Sequence, residues 1–118
     1  TVRAPHGFRD ALIGAYAGRC AIAGCSVLDI LEAAHITPYL GPDTNHVTNG
    51  LLLRADLHTL FDTLLLAVDP DTLRVVVAPS VEDPAYRDLH GRALRATSTK
   101  TTAPSPDALK QHRAECRW

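Results

Sequence analysis

Nowhere does the sequence approach the ~18 consecutive apolar residues that would span a bilayer, and its first ten residues, TVRAPHGFRD, lack the apolar core of a secretory signal. These absences lead to the expectation of a soluble chain, working in the cytoplasm with no membrane partner. Cysteine is scarce: there are three, an odd number, and Cys20 and Cys25 alone cannot supply a four-thiolate zinc site. A disulfide framework is therefore not expected. An excess of positive charge is missing too, since 12 Lys and Arg face 13 Asp and Glu for a net charge of −1, whereas a tight free-standing DNA binder is normally more basic. No internal repeat or long low-complexity tract appears, which excludes a solenoid. The chain opens on Thr1 rather than Met, so further domains of a longer protein are expected.

What is there fits one globular domain. The 118 residues are 46% hydrophobic and 21% charged, enough for a modest core and too few for two large ones. The charge that exists is unevenly placed. Residues 85–118 carry Arg87, Arg92, Arg95, Lys100, Lys110, Arg113 and Arg117 against Asp88, Asp107 and Glu115, so a local basic surface can form.

Along the chain, Phe8, Leu12, Ile13 and Tyr16 recur at helical spacing ahead of Gly18, which predicts a helix over 8–17. A turn at Gly24 follows, then a strand over 32–37, ended by Pro38. GPDTNHVTNG reads as a loop, residues 51–53 as a short strand and residues 54–62 as a helix. The β-branched runs on either side of DPDT predict a hairpin with strands over 65–68 and 73–78. Asp83 and Pro84 have the chemistry of an N-cap and first helical residue, RATSTKTTAPSP reads as a polar linker, and DALKQHRAECRW closes with a short helix. The order of elements makes this an α+β chain. Residues 1–96 form its main domain, and residues 97–118 a linker and helical tail.

Three polar residues punctuate the apolar middle: His35 at a strand end, Asn49 at the end of the loop and His58 in the next helix. Taken singly, each has an ordinary reading. His35 is then a hydrogen-bonded core histidine, Asn49 the first half of an Asn-Gly turn, and His58 with Asp62 a solvated helix pair worth a few tenths of a kcal/mol. Arg54 is likewise a solvated or ion-paired arginine. Together they read differently. Phosphodiester hydrolysis needs a base for water, a cation on the phosphoryl oxygens and rigid placement of both. Imidazole is suited to either task near neutral pH. On the helix, Arg54, His58 and Asp62 follow at intervals of four and share a face, which could offer a guanidinium, an imidazole and a carboxylate to a metal-bound phosphate.

The segments LEAAHITPY and NGLLLRADLHTLFD resemble the His–Asn–His motif of the HNH nucleases, with Asn49 14 positions after His35 and 9 before His58. The resemblance spans residues 19–79. It implies a ββα-metal (His-Me finger) core, here with an N-terminal helix, an added β-hairpin and C-terminal helical segments. It further implies a DNA endonuclease in which His35 is the general base, Asn49 braces the loop, and His58 binds one divalent cation (Mg²⁺, Mn²⁺, Co²⁺ or Ni²⁺), with Asp62 as a second ligand. Arg54 becomes a candidate contact to DNA. The implied products carry 5′-phosphate and 3′-hydroxyl ends. Two positions depart from the pattern. Many relatives place an Asp or His ligand just before the base, where this chain has Ala34. Zinc-stapled relatives have a second Cys pair where this chain has Arg54 and Leu57, so no structural zinc is expected, with leucine packing in its place. The near-neutral charge fits the cleavage module of a restriction or defence protein whose separate domain recognises DNA, and a homodimer is one way for a single site to cut both strands. Two other classes stay open: a decayed HNH scaffold that binds nucleic acid or protein, and a domain in which His35 and His58 hold zinc with Cys20 or Cys25.

Overall fold

The computed structural model describes residues 6–38 and 40–118. Helix α1, His6–Ala15, stops two residues before the spacing of its apolar side chains predicts. Ala17 and Gly18 both turn left-handed, at φ 53° and 69°, and the Gly18 amide donates to the Ile13 carbonyl at 2.8 Å. This closure satisfies the orphan carbonyls of the last turn. Phe8, Leu12, Ala15 and Tyr16 are buried.

Strands β1, Leu31–His35, and β2, Gly50–Arg54, pair antiparallel from Leu31↔Arg54 to His35↔Gly50. The expected first strand therefore begins and ends earlier, because the chain bends at Ile36 and Thr37. Strand β2 is longer than its three leucines, and Gly50 to Leu53 are all buried. Burial on both faces explains why its sequence is a continuous apolar run rather than an alternating one. Helix α2, Ala55–Asp62, follows directly, with Arg54 as its N-cap rather than its first residue. Leu57 and Phe61 turn inward, and Leu64, left-handed at φ 64°, ends the helix with the Leu65 amide on the Leu60 carbonyl.

The hairpin β3, Leu66–Val68, with β4, Val75–Val77, is present and shorter than predicted. Asp69 Oδ1 accepts the amides of Asp71 and Thr72, and Leu73 turns left-handed at φ 56°, so pairing begins only after it. Helix α3, Pro84–Arg87, is a single turn capped by Asp83, whose side chain accepts the Ala85 amide. Helix α4, Pro106–Glu115, starts at Ser105, whose side chain accepts the Ala108 amide. Its Ala108 and Leu109 join the same core as Leu12, Leu51–Leu53, Phe61 and Val75. The whole is α+β: a ββα unit flanked by the N-terminal helix, the added hairpin and the C-terminal helices. No helix among the described residues is long and apolar enough to cross a membrane.

Candidate active site

The ββα unit brings His35, His58 and Asp62 to one cleft of about 370 Å³, lined also by Ile36 and Phe61 and by His112 and Glu115 of α4. His35 ends β1, and its ring stacks on Phe8 of α1 with centroids 4.5 Å apart and planes within 17°. Its Nε2 lies 2.9 Å from Oδ1 of Asn45. The stack and the hydrogen bond together fix the ring's plane and rotation.

Asn49 holds the loop between the strands. Its Oδ1 accepts the Thr37 amide at 3.1 Å and the Thr37 hydroxyl at 2.9 Å, and its Nδ2 donates to the Thr44 carbonyl at 3.0 Å. One side chain therefore ties both ends of the segment that leaves and re-enters the hairpin. The Asn-Gly pair is not a tight hairpin turn. Asn49 ends a 3₁₀ turn, and Gly50 is extended with φ −138°.

His58 bridges two carboxylates. Nδ1 is 2.7 Å from Glu32 Oε1 across the sheet, and Nε2 is 3.1 Å from Asp62 Oδ2 one turn along the helix. Its side chain is only 17% exposed. The Asp62 carboxylate, then Glu32, hold the imidazole above its ordinary pKa, working against burial. Glu32 was not among the residues singled out from the sequence, yet a lone carboxylate in an apolar strand was a usable signal. His112 and Glu115, which line the cleft from a distant helix, and Asn45, which holds His35 from the loop, had none.

Arg54 stays apart from this group. Its guanidinium grips Asp56 at 2.7 and 3.0 Å, and the Tyr86 hydroxyl donates to the same carboxylate at 2.8 Å. It does not line the cleft. Cys20 Sγ accepts the amides of Ala23 and Arg54, each at 3.3 Å, so it closes a turn beside β2 away from both histidines. Ala34 is wholly buried against Leu51 rather than facing the cleft.

The donor chemistry suits a divalent cation. Two ligands about 3 Å apart span one edge of an octahedron with bonds of 2.0–2.1 Å, and His58 Nε2 and Asp62 Oδ2 have that separation. Among the described residues, no group of three His, Cys, Asp or Glu side chains gathers around a common point. The pair therefore fits an open site in which water and phosphate oxygens complete the shell.

The family model described as HNH endonuclease matches residues 20–69. Over that segment, somewhat under half of its length, the chain is similar to the HNH endonucleases. Every expected motif residue, His35, Asn49, His58 and Asp62, lies inside this HNH segment. The whole chain also superposes on a solved structure titled a modification-dependent TagI restriction endonuclease, with a TM-score of 0.73 and 24% identity. That match covers 100% of this chain and 40% of the other, so the chain spans well under half of that protein. No curated protein matches the chain significantly. The chain is thus similar to HNH endonucleases over residues 20–69 and shares the fold of a restriction endonuclease along its length.

Proposed function

We propose that this chain is the cleavage module of a metal-dependent DNA endonuclease that leaves 5′-phosphate and 3′-hydroxyl ends. The carrying observation is that two histidines in different surroundings share one cleft: His35 between an aromatic ring and an amide, His58 between two carboxylates. His35 takes the proton of a water attacking phosphorus, as the bond to the 3′ oxygen breaks on the opposite side. Asn49 keeps the loop, and with it His35, in register with the cleft. His58 and Asp62 hold the cation, and Glu32 orients His58 from behind through Nδ1, as outer carboxylates do for metal-binding histidines. Bound there, Mg²⁺, Mn²⁺, Co²⁺ or Ni²⁺ supplies positive charge to the phosphoryl and departing oxygens. His58 would hold the cation through an Nε2 free of its proton. Arg54 contacts phosphate by exchanging Asp56 for it.

The modest charge of the domain and its match to 40% of a restriction enzyme support a larger protein in which another domain selects the DNA. Cytoplasmic action and pairing of two copies for double-strand cuts belong to the same reading. A competing reading, a scaffold that binds without cutting, draws on the carboxylates that occupy both nitrogens of His58 and on the buried Ala34.

Supercoiled plasmid separates the two. Wild-type protein with Mg²⁺, Mn²⁺, Co²⁺ or Ni²⁺ is expected to nick or linearise it, and EDTA to abolish this. His35→Ala and His58→Ala proteins with unchanged circular dichroism are expected to lose roughly 10²–10⁴-fold in rate. Cleavage surviving both substitutions would sink the assignment. A folded full-length protein that cuts with none of these metals would leave the scaffold reading.

A further inference from the structure

The turn from Cys20 to Cys25 is encircled by arginines. Arg19 donates from Nη1 to the Gly24 carbonyl at 3.2 Å, Arg92 from Nη1 to the Ile22 carbonyl at 3.4 Å, and Nη1 of Arg95 lies beside Gly24. The backbone delivers them there: the Arg95 amide donates to the Ala21 carbonyl at 2.9 Å, and the Ala21 amide to the Leu52 carbonyl at 2.7 Å. All three residues are exposed. Among the described residues none is ion-paired, in contrast to Arg54 with its own carboxylate. Three guanidiniums on one six-residue turn repel one another, and a chain with a net charge of −1 has carboxylates enough to offset them. The carbonyl partners of Arg19 and Arg92 leave their positive charge intact.

We infer that Arg19, Arg92 and Arg95 form a phosphate-backbone clamp that holds duplex DNA at a second point, away from the cleft. This rests on the nuclease reading for its choice of polyanion. The spacing suits a duplex. Cys20 Sγ accepts the amide of Arg54, which pairs with Leu31 at one end of the ladder, and His35 pairs with Gly50 at the other. Four residues of strand at about 3.3 Å each put the two ends about 13 Å apart. That is roughly four rises of 3.4 Å along one DNA strand. Such a clamp carries no sequence information. It supplies orientation and salt-sensitive affinity, which a weakly charged cutting module otherwise lacks.

The test is the salt dependence of binding, measured in EDTA by anisotropy of a labelled duplex of about 30 base pairs. Arg19→Gln/Arg92→Gln/Arg95→Gln is expected to lower the slope of log K against log [salt] by about 2–3, at about 0.9 for each phosphate no longer neutralised, and to weaken binding tenfold or more near 100 mM salt. The triple Lys variant should keep the slope. Arg19→Gln alone, whose side chain only decorates the surface, should lower it by about 0.9 even if the triple variant folds poorly. Unchanged slopes in the single and triple Gln variants, or no binding by the wild type at low salt, would overturn the clamp. The nuclease reading fails separately: wild type that binds with this slope and never nicks plasmid keeps the clamp and loses the enzyme.

Discussion

At the scale of single residues, Glu32 is a member of the site whose signal in the sequence was passed over. It reaches His58 Nδ1 at 2.7 Å although half of its side chain is exposed, so its worth is in orientation rather than in stability. Held this way, the ring presents Nε2 to Asp62 and cannot turn over. Glu32→Ala is expected to weaken Mn²⁺ binding, followed by calorimetry, by about 10–100-fold while the melting temperature hardly moves. An unchanged affinity would mean that the helix alone orients His58. His35, Asn49 and His58 were legible in the sequence because the hairpin and helix that assemble them are contiguous, so their spacing survives as a pattern. Asn45 was not legible, since an asparagine in a loop rich in Gly, Pro, Asp and Thr looks like any other turn former. Arg54 shows the opposite failure: helical spacing put it on the face of His58, but as N-cap its backbone is not helical, at φ −58° and ψ 145°, and its side chain turns to Asp56.

Between elements, the critical approach is α1 against the start of β2. A Cβ on Gly50 would stand 2.6 Å from Phe8 Cζ and 2.7 Å from Leu12 Cδ1, both in the core and one of them stacked on His35. Gly50→Ala should therefore cost about 1–3 kcal/mol through overpacking. It should also lower the nicking rate by more than the lost stability explains, because Phe8 can yield only by pushing on His35, the proposed base. Chemical denaturation together with initial rates at a temperature where the variant is fully folded checks both halves. A stable, fully active variant would show that α1 slides freely. The sequence marked this glycine as part of a turn dipeptide, which was the wrong physical reason, since its backbone is extended and its need is for space. Helices and strands themselves were legible from period and capping chemistry, as with Asp83 and Pro84 at α3. Their ends were not, because Ala17, Leu64 and Leu73 enter left-handed turns that no local preference of Ala or Leu announces.

Across the whole molecule, the C-terminal helix is joined to the ββα unit where α2 ends. His112 stacks on Phe61 with centroids 3.7 Å apart and planes within 1°, and its Nε2 donates to the Phe61 carbonyl at 2.9 Å. Trp118 Nε1 donates to the Leu64 carbonyl at 2.7 Å, and Arg113 lies over the Trp118 ring. The end of the chain thus adds donors to carbonyls in and just after the last turn of α2, next to Asp62. Burial keeps His112 below its ordinary pKa, with the Phe61 carbonyl, Glu115 and Asp62 working weakly the other way. A depressed folded pKa means that this contact is fully present above about pH 6.5, the unfolded value, and is lost as pH falls through the folded one. His58 has the opposite sign: its raised pKa contributes stability below about pH 6.5 that is lost as pH climbs through the folded value. His112→Phe keeps an aromatic ring on Phe61, cannot titrate, and removes one hydrogen bond from the Phe61 carbonyl, which keeps the Leu64 amide at 3.2 Å, at a cost of about 0.5–1.5 kcal/mol near pH 8. Melting curves in EDTA from about pH 8 down to pH 5, above the range where carboxylates dominate, should show the wild type losing its advantage over this variant as acid is added. Parallel curves would mean that His112 does not change its protonation there, and that stacking alone docks the last helix against the cleft.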